Sequence, residues 1–179
     1  MRISLLGGQI WEGVSRKTWQ YPQQQLGYVI SLISNCWSES VDYLGGATYV
    51  TNNAEGDGGF TLGSNIYINH KGSIPQNFDA FVKKTPVYMH EYGHYIDSQR
   101  FGHTYLPTIA LLSLISASDN DETKSPEGYR IYNHSYYWTE TRANRNAADY
   151  FGRYYGVNWS SDHYFYKGSH RTIIDGFPF

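Results

Sequence analysis

The apolar and polar positions of this chain fall into two periods, and those periods predict its elements. Over residues 22–35 the apolar side chains Leu26, Val29, Ile30, Leu32 and Ile33 recur at helical spacing, and Pro22 stands where a first helical turn has no amide hydrogen to lose. Residues 45–53 and 60–69 are instead rich in Thr, Tyr, Val and Ile, and the turn cluster Glu55-Gly56-Asp57-Gly58-Gly59 lies between them. β-Branched and aromatic residues bounded by Gly and Asn predict short strands joined by a turn, hence a small antiparallel sheet. The next helix is predicted over 86–101, with Thr85 as N-cap, Pro86 at the first helical position and Gly102 as the stop. Gly93 inside that helix costs helix stability and marks a point of close packing. A further apolar helix is expected over 108–117, a polar loop over 119–126, and a last helix from Ser135 through Phe151, ending by Gly156. Residues 157–179 are aromatic and irregular.

No internal repeat or low-complexity segment interrupts this order. Residues 1–20, with Gly7, Gly8 and Gly13 and no clear period, read as a lead-in, and residues 21–179 read as a single α+β domain.

Composition narrows the classes. Of 179 residues 40% are hydrophobic and 17% charged, which excludes a disordered tail and is enough for one compact domain. Net charge is −2 with Lys and Arg scattered, so no basic stripe meets phosphates and nucleic acid is not an expected partner. The one cysteine, Cys36, excludes an internal disulfide framework and reads as a core thiol. The longest apolar run, residues 109–117, is too short to cross a bilayer, and the apolar stretch at the start is too brief for a signal peptide. Localisation stays open, a secreted or cell-surface route as part of a larger protein included. The 18 Tyr, 8 Phe and 5 Trp fit a small core with wet hydroxyls, or alternatively an aromatic-lined cleft.

The segment His90-Glu91-Tyr92-Gly93-His94 adds chemistry to this outline. In an H-E-x-x-H motif on a helix, positions i and i+4 lie one turn apart on one face, so both imidazoles can point at one ion. Neutral imidazole suits zinc, and three protein ligands leave an open position for water, whose pKa the ion brings to about 7. Glu91, beside that face, is the candidate general base. The alternative is an accident of composition, which in a chain this long has odds on the order of one in a hundred.

A third ligand must come from elsewhere. A metzincin continuation would need Gly and then His where this chain has Asp97 and Arg100, and His103 lies past the helix stop. Glu140 is the better candidate: 45 residues (positions 95 to 139) separate it from His94, enough for a helix and a loop to return a second helix. Glu140, Asn144, Ala147 and Phe151 then share one face, polar at its start and small or apolar beyond. Asn144, one turn on, is placed to hold a ligand histidine from behind. Glu140 could instead be an exposed carboxylate paired to Arg142 or Asn144. Asp149, the rival ligand, is rotated about half a turn away on the same helix. A donor for a developing oxyanion is also needed. His134 is the first candidate because it lies near Glu140 in sequence; Tyr132, Tyr136, Tyr137, His163, Tyr164 and His170 are others, each with an ordinary surface or core role as its alternative.

These motifs together resemble a known family. Gly45-Gly46-Ala47-Thr48-Tyr49, Phe60-Thr61-Leu62-Gly63-Ser64, the H-E-x-x-H segment, Tyr105-Leu106-Pro107, Ser113-Leu114-Ile115-Ser116-Ala117 and Trp138-Thr139-Glu140-Thr141-Arg142-Ala143-Asn144 are similar to the zincin-like domain at the C-terminal ends of bacterial RHS-repeat proteins, mainly of Bacteroidetes. The likeness covers most of the chain from Trp19 onward. It implies a zincin-like α+β fold, with a small sheet packed on the H-E-x-x-H helix and a second ligand helix. It also implies a toxin, effector or processing role for a domain of a larger protein, with an RHS-type parent polypeptide or an immunity protein as partner. More distantly the chain is similar to gluzincins, whose third ligand is a Glu on a following helix. Those carry Asp one turn after that Glu; here it is Asn144, which removes a charge from behind the ligands.

The expectation is a zinc metallopeptidase acting on a peptide or protein substrate. Zinc-bound water activated by Glu91 attacks the scissile carbonyl, and an extended substrate lies along the strand edge near residues 61–69. A zinc hydrolase of a non-peptide substrate and a non-catalytic interaction domain on the same scaffold are the alternatives.

Overall fold

The computed structural model describes residues 10, 11, 13–34, 38, 40–55, 58–118, 122–124, 130–132, 134 and 137–158; Cys36, Tyr136, His163, Tyr164 and His170 lie outside them. Gly45 and Gly46, at φ 54° and 87°, form a two-residue hairpin turn of the kind that needs positive φ at both positions. It joins β1 (Ser40–Leu44) to β2 (Ala47–Asn52). A second tight turn joins β3 (Gly59–Leu62) to β4 (Asn65–Asn69).

The four strands lie in the order β1-β2-β4-β3. Each hairpin is antiparallel, but β2 and β4 meet in parallel, from Thr48 opposite Asn65 to Asn52 opposite Asn69. The sheet is therefore mixed, and the expected small antiparallel sheet is corrected. From β2 the chain passes to the far edge, lays down β3 and turns back into the gap, so β4 runs with β2. The run over 60–69 is thus a hairpin, and β3 is an edge strand.

Residues 10, 11 and 13–17 are helical (α1), and α2 spans Tyr21–Ser34. The apolar stripe of α2 does not face the body of the protein. Leu26, Val29, Leu32 and Ile33 are exposed, whereas Gln23, Gly27 and Ser31, four residues apart, are buried. The buried side is held by hydrogen bonds: Gln23 Nε2 donates to the Gly102 carbonyl at 2.7 Å, and Ser31 Oγ pairs with Tyr67 Oη at 2.7 Å. The segment read as a lead-in also reaches the body, since Trp19 Nε1 donates to the Gln99 carbonyl at 2.9 Å.

After the short α3 (Phe78–Val82) comes α4 (Pro86–Phe101), bounded as expected by Pro86 and by Gly102. Thr85 has the extended backbone of an N-cap but makes no side-chain cap; its hydroxyl donates back to Phe81 O at 2.9 Å. A wide turn of π type over Leu106–Ala110 leads into α5 (Leu111–Ser118), so the helical segment expected over 108–117 starts earlier than its apolar period suggests. The expected polar loop holds β5 (Glu122–Lys124), paired antiparallel with β6 (Arg130–Tyr132). The last helix, α6 (Trp138–Tyr155), ends on Gly156 in the left-handed region.

Helix α4 is buried on nearly every side because it lies between the sheet and α6. Toward the sheet, Tyr88 and Met89 join Tyr49, Ile66 and Ile68 in the core, and Tyr92 meets Phe151 of α6. Polar groups on such a helix must find partners. Asp97 takes Arg142 Nε at 2.8 Å and Ser98 donates to Gln20 Oε1 at 3.1 Å. No described helix is long and apolar enough to cross a membrane.

Candidate metal centre

The crossing of α4 and α6 builds the site. Gly93 and Ala143 touch there: a Cβ on Gly93 would overlap the Ala143 carbonyl oxygen, so the missing side chain is what lets the helices approach. On α4, His90 and His94 flank that contact one turn apart; on α6, Glu140 and Asn144 do the same. Nε2 of His90 lies 3.0 Å and Nε2 of His94 3.2 Å from one oxygen of Glu140, Oε2. One ligand atom from each of the three residues lies within 4.8 Å of the others, so His90, His94 and Glu140 could hold a metal ion.

The donor set fits a cation for a specific reason. Asn144 Oδ1 accepts from His90 Nδ1 at 2.8 Å, which puts the ring proton on Nδ1 and turns the Nε2 lone pair toward Glu140. A lone pair and a carboxylate oxygen 3.0 Å apart repel unless a proton or a metal ion lies between them. Thr139 Oγ1 donates to the other oxygen, Oε1, at 2.9 Å, so Oε2 is the one turned to the imidazoles. Glu140 is 3% exposed, and Arg142 is taken by Asp97, so the alternative of an exposed surface pair does not apply. Asp149 is exposed, and so is His103.

Electrostatics tie the three groups together. Burial alone would lower the His94 pKa, but the charge and hydrogen bond of Glu140, with Glu91 and Asp97 behind, outweigh it and hold the imidazole up at about 9. Burial would likewise raise Glu140, yet His94 and His90 keep it well below the usual carboxylate range. Both shifts describe one buried ion pair, in which a proton and a metal ion compete for the same lone pairs. Nδ1 of His94 is buried without a hydrogen-bond partner among the described residues.

Two further sequence candidates stand at the same place. Glu91 is 4% exposed and accepts from Thr61 Oγ1 on β3, 2.8 Å from Oε2. His134 Nε2 lies 3.7 Å from Glu140 Oε2. Its Nδ1 is 2.7 Å from Ser116 Oγ, and the Ser116 hydroxyl donates to Ser113 O at 2.8 Å, so Ser116 accepts from His134 Nδ1–H. Tyr137 sits at the N-cap of α6, outside the residues lining the cleft, and Tyr132 is in β6. A cleft of about 540 Å³ opens over the site, lined by β3, by α4 and by α5 residues such as Ser113 and Leu114.

Sequence reasoning missed the supports. Thr61, Ser116 and Thr139 are small hydroxyl residues whose partners lie on other elements or on a neighbouring side chain, and hydropathy carries no signal for them. Only Thr139, next to Glu140, was adjacent to a ligand in sequence. No family model matches this sequence, and no curated protein or solved structure is significantly similar to it.

Proposed function

We propose that this chain is a zinc-dependent hydrolase of the zincin type, acting as a metallopeptidase. One observation carries the reading: two imidazole Nε2 atoms from one helix and a buried carboxylate oxygen from another converge within 3.2 Å, with the Glu91 carboxylate on the next residue of the same helix. When bound, zinc would supply a Lewis acid that polarises a carbonyl and brings water toward a neutral pKa. Glu91 would take the proton of the attacking water and deliver it to the leaving group. His134, which lines the cleft and gives its Nδ1 proton to Ser116, would be a donor to the developing oxyanion from Nε2 in its imidazolium form alone. Asn144 and Thr139 would hold His90 and Glu140 in register.

An extended substrate fits β3 rather than the whole stretch 61–69, because β4 is interior to the sheet and β3 is the edge bordering the cleft. Part of that edge is already used, since Tyr105 Oη donates to the Thr61 carbonyl at 3.2 Å. A role as a toxin or processing module of an RHS-type parent, with an immunity protein as partner, is supported by the motif resemblance alone.

The test is metal analysis of the purified protein paired with Glu91→Gln. Stoichiometric zinc in both proteins, with peptide cleavage only in the wild type, is the expected result. Retained cleavage in Glu91→Gln overturns the mechanism. A structural, closed metal site is the second reading, favoured by the distance of 3.7 Å from His134 Nε2 to Glu140 Oε2. His134→Ala separates the two: a donor leaves zinc affinity unchanged, whereas a fourth ligand takes it down more than about tenfold.

A further inference from the structure

We propose that Thr61 is a positioning residue for Glu91, and that β3 is the strand that fixes the general base. This deepens the hydrolase reading and rests on it.

Strand side chains alternate, so Gly59 and Thr61 face the same way, toward α4. Thr61 meets one carboxylate oxygen and Gly59 borders the other. The Thr61 hydroxyl is 2.8 Å from Glu91 Oε2 and 3.0 Å from the Glu91 main-chain carbonyl. A hydroxyl has one proton to give, and a carbonyl inside a helix has its own amide partner four residues on, so the proton goes to the carboxylate. Thr61 and Glu91 are each 4% exposed, which keeps water from substituting for this bond. At Gly59 a Cβ would stand 2.9 Å from both Cγ and Oε1 of Glu91, and 2.9 Å from the Tyr67 carbonyl. Any side chain there would push the base out of place.

The strand itself is anchored. Its Thr61 carbonyl accepts from the buried Tyr105 hydroxyl at 3.2 Å, and Phe60, on the opposite face, stacks on Tyr67 with ring centroids 4.6 Å apart. Thr is the apt residue for the job: its branched Cβ suits a strand and restricts χ1, so the hydroxyl is presented in one direction. Glu91 is thereby held by an element other than the helix that carries it, independently of the ligand set on α4 and α6.

The experiment compares Thr61→Val, Thr61→Ser and wild type, all loaded with zinc. Thr61→Val is expected to keep zinc affinity within about twofold and to lose kcat by about 10- to 100-fold, with KM within about threefold, because a misplaced base affects the chemical step and not substrate binding. Thr61→Ser, which keeps the hydroxyl, is expected to recover kcat to within about threefold of wild type. A crystal structure of zinc-loaded Thr61→Val should show the Glu91 carboxylate turned away from its wild-type position. Unchanged kcat in Thr61→Val, or Thr61→Ser as impaired as Thr61→Val, overturns the assignment. So does a Glu91 carboxylate that stays in place without the hydroxyl. Should zinc-loaded wild type cleave nothing, the hydrolase reading falls, and the Glu91 position in Thr61→Val still decides the role of Thr61.

Discussion

Asn144 accepts a hydrogen bond from Nδ1 of His90 at 2.8 Å, across two helices and 54 positions of sequence. The bond selects which nitrogen of His90 is left to bind a cation. Asn144→Ala should therefore lower zinc affinity by about 10- to 100-fold, as removal of a group behind a ligand histidine typically does. Asn144→Asp should bind zinc more tightly than wild type, because a carboxylate behind the ring raises its basicity. Competition against a chromophoric chelator reads both. Equal affinity for all three proteins would show that the tautomer of His90 is set by something else.

Removing the carboxylate at the centre has a spectroscopic consequence as well as a loss of metal. Glu140 is the group that overcomes burial at His94 and holds its imidazole up at about 9. In Glu140→Gln the burial effect is opposed by the more remote carboxylates alone, so the His94 pKa of the metal-free protein should fall well below 9. Imidazole proton chemical shifts followed against pH report this directly. A His94 midpoint still near 9 in that variant would refute the pairing. Zinc binding should be lost in the same protein.

What was legible in the sequence is what is local in space. His90 and His94 are one turn apart, and so are Glu140 and Asn144, so each pair follows from helical spacing alone. That the two pairs meet follows from Gly93, whose cost inside a helix pointed to close packing, though not to Ala143 as its partner. The sheet was legible as strands but not as a topology. Nothing in residues 47–52 states that their neighbour in space is 65–69 and runs parallel to them. Helix α2 was legible as a helix but not in the face it buries. Its apolar period points outward, while the buried side is made by polar bonds and by Gly27, where a Cβ would stand 2.7 Å from Asn65 Nδ2 and overlap the Leu62 carbonyl. Hydrophobic periodicity cannot report a face held by Gln, Gly and Ser. The support of Glu91 by Thr61 escaped for want of any linear relation between positions 30 apart.

The contact between Gly93 and Ala143 predicts that geometry and stability fail together. Gly93→Ala forces a methyl group against the Ala143 carbonyl, and backbone atoms cannot rotate away as a side chain could. A destabilisation of about 1–3 kcal/mol is expected from such overpacking, measured by denaturant unfolding of the metal-free protein. The helices must also separate to admit the methyl, which moves Glu140 away from the imidazoles. Zinc affinity should fall more than in an equally destabilised variant far from the crossing. Phe78→Leu, in the core against Tyr49, is a suitable comparison. Parallel losses in the two variants would mean that the crossing distance does not govern the site.

Finally, the stability of the metal-free protein and the increment that zinc adds to it should depend on pH in opposite ways. His94 has a folded pKa of about 9 against an unfolded value of about 6.5, so its contribution to the metal-free protein is fully present below pH 6.5 and is lost as pH rises through 9. Glu140 is shifted down, so its contribution is present above its unfolded pKa of about 4.5 and is lost only as pH falls toward its folded value. These are two views of one ion pair and count once. Between pH 7 and pH 9 the metal-free protein should therefore lose thermal stability from this source. Zinc binding, in contrast, must displace the His94 proton at pH 7 and meets less of it at pH 9. The rise in Tm on adding a fixed excess of zinc should accordingly grow over the same interval. Melting curves with chelator and with zinc, at pH 7, 8 and 9, measure both trends. A zinc-induced shift that is the same at pH 7 and pH 9 would mean that the ion does not bind where the His94 proton sits, and the assignment of His94 as a ligand would fail with it.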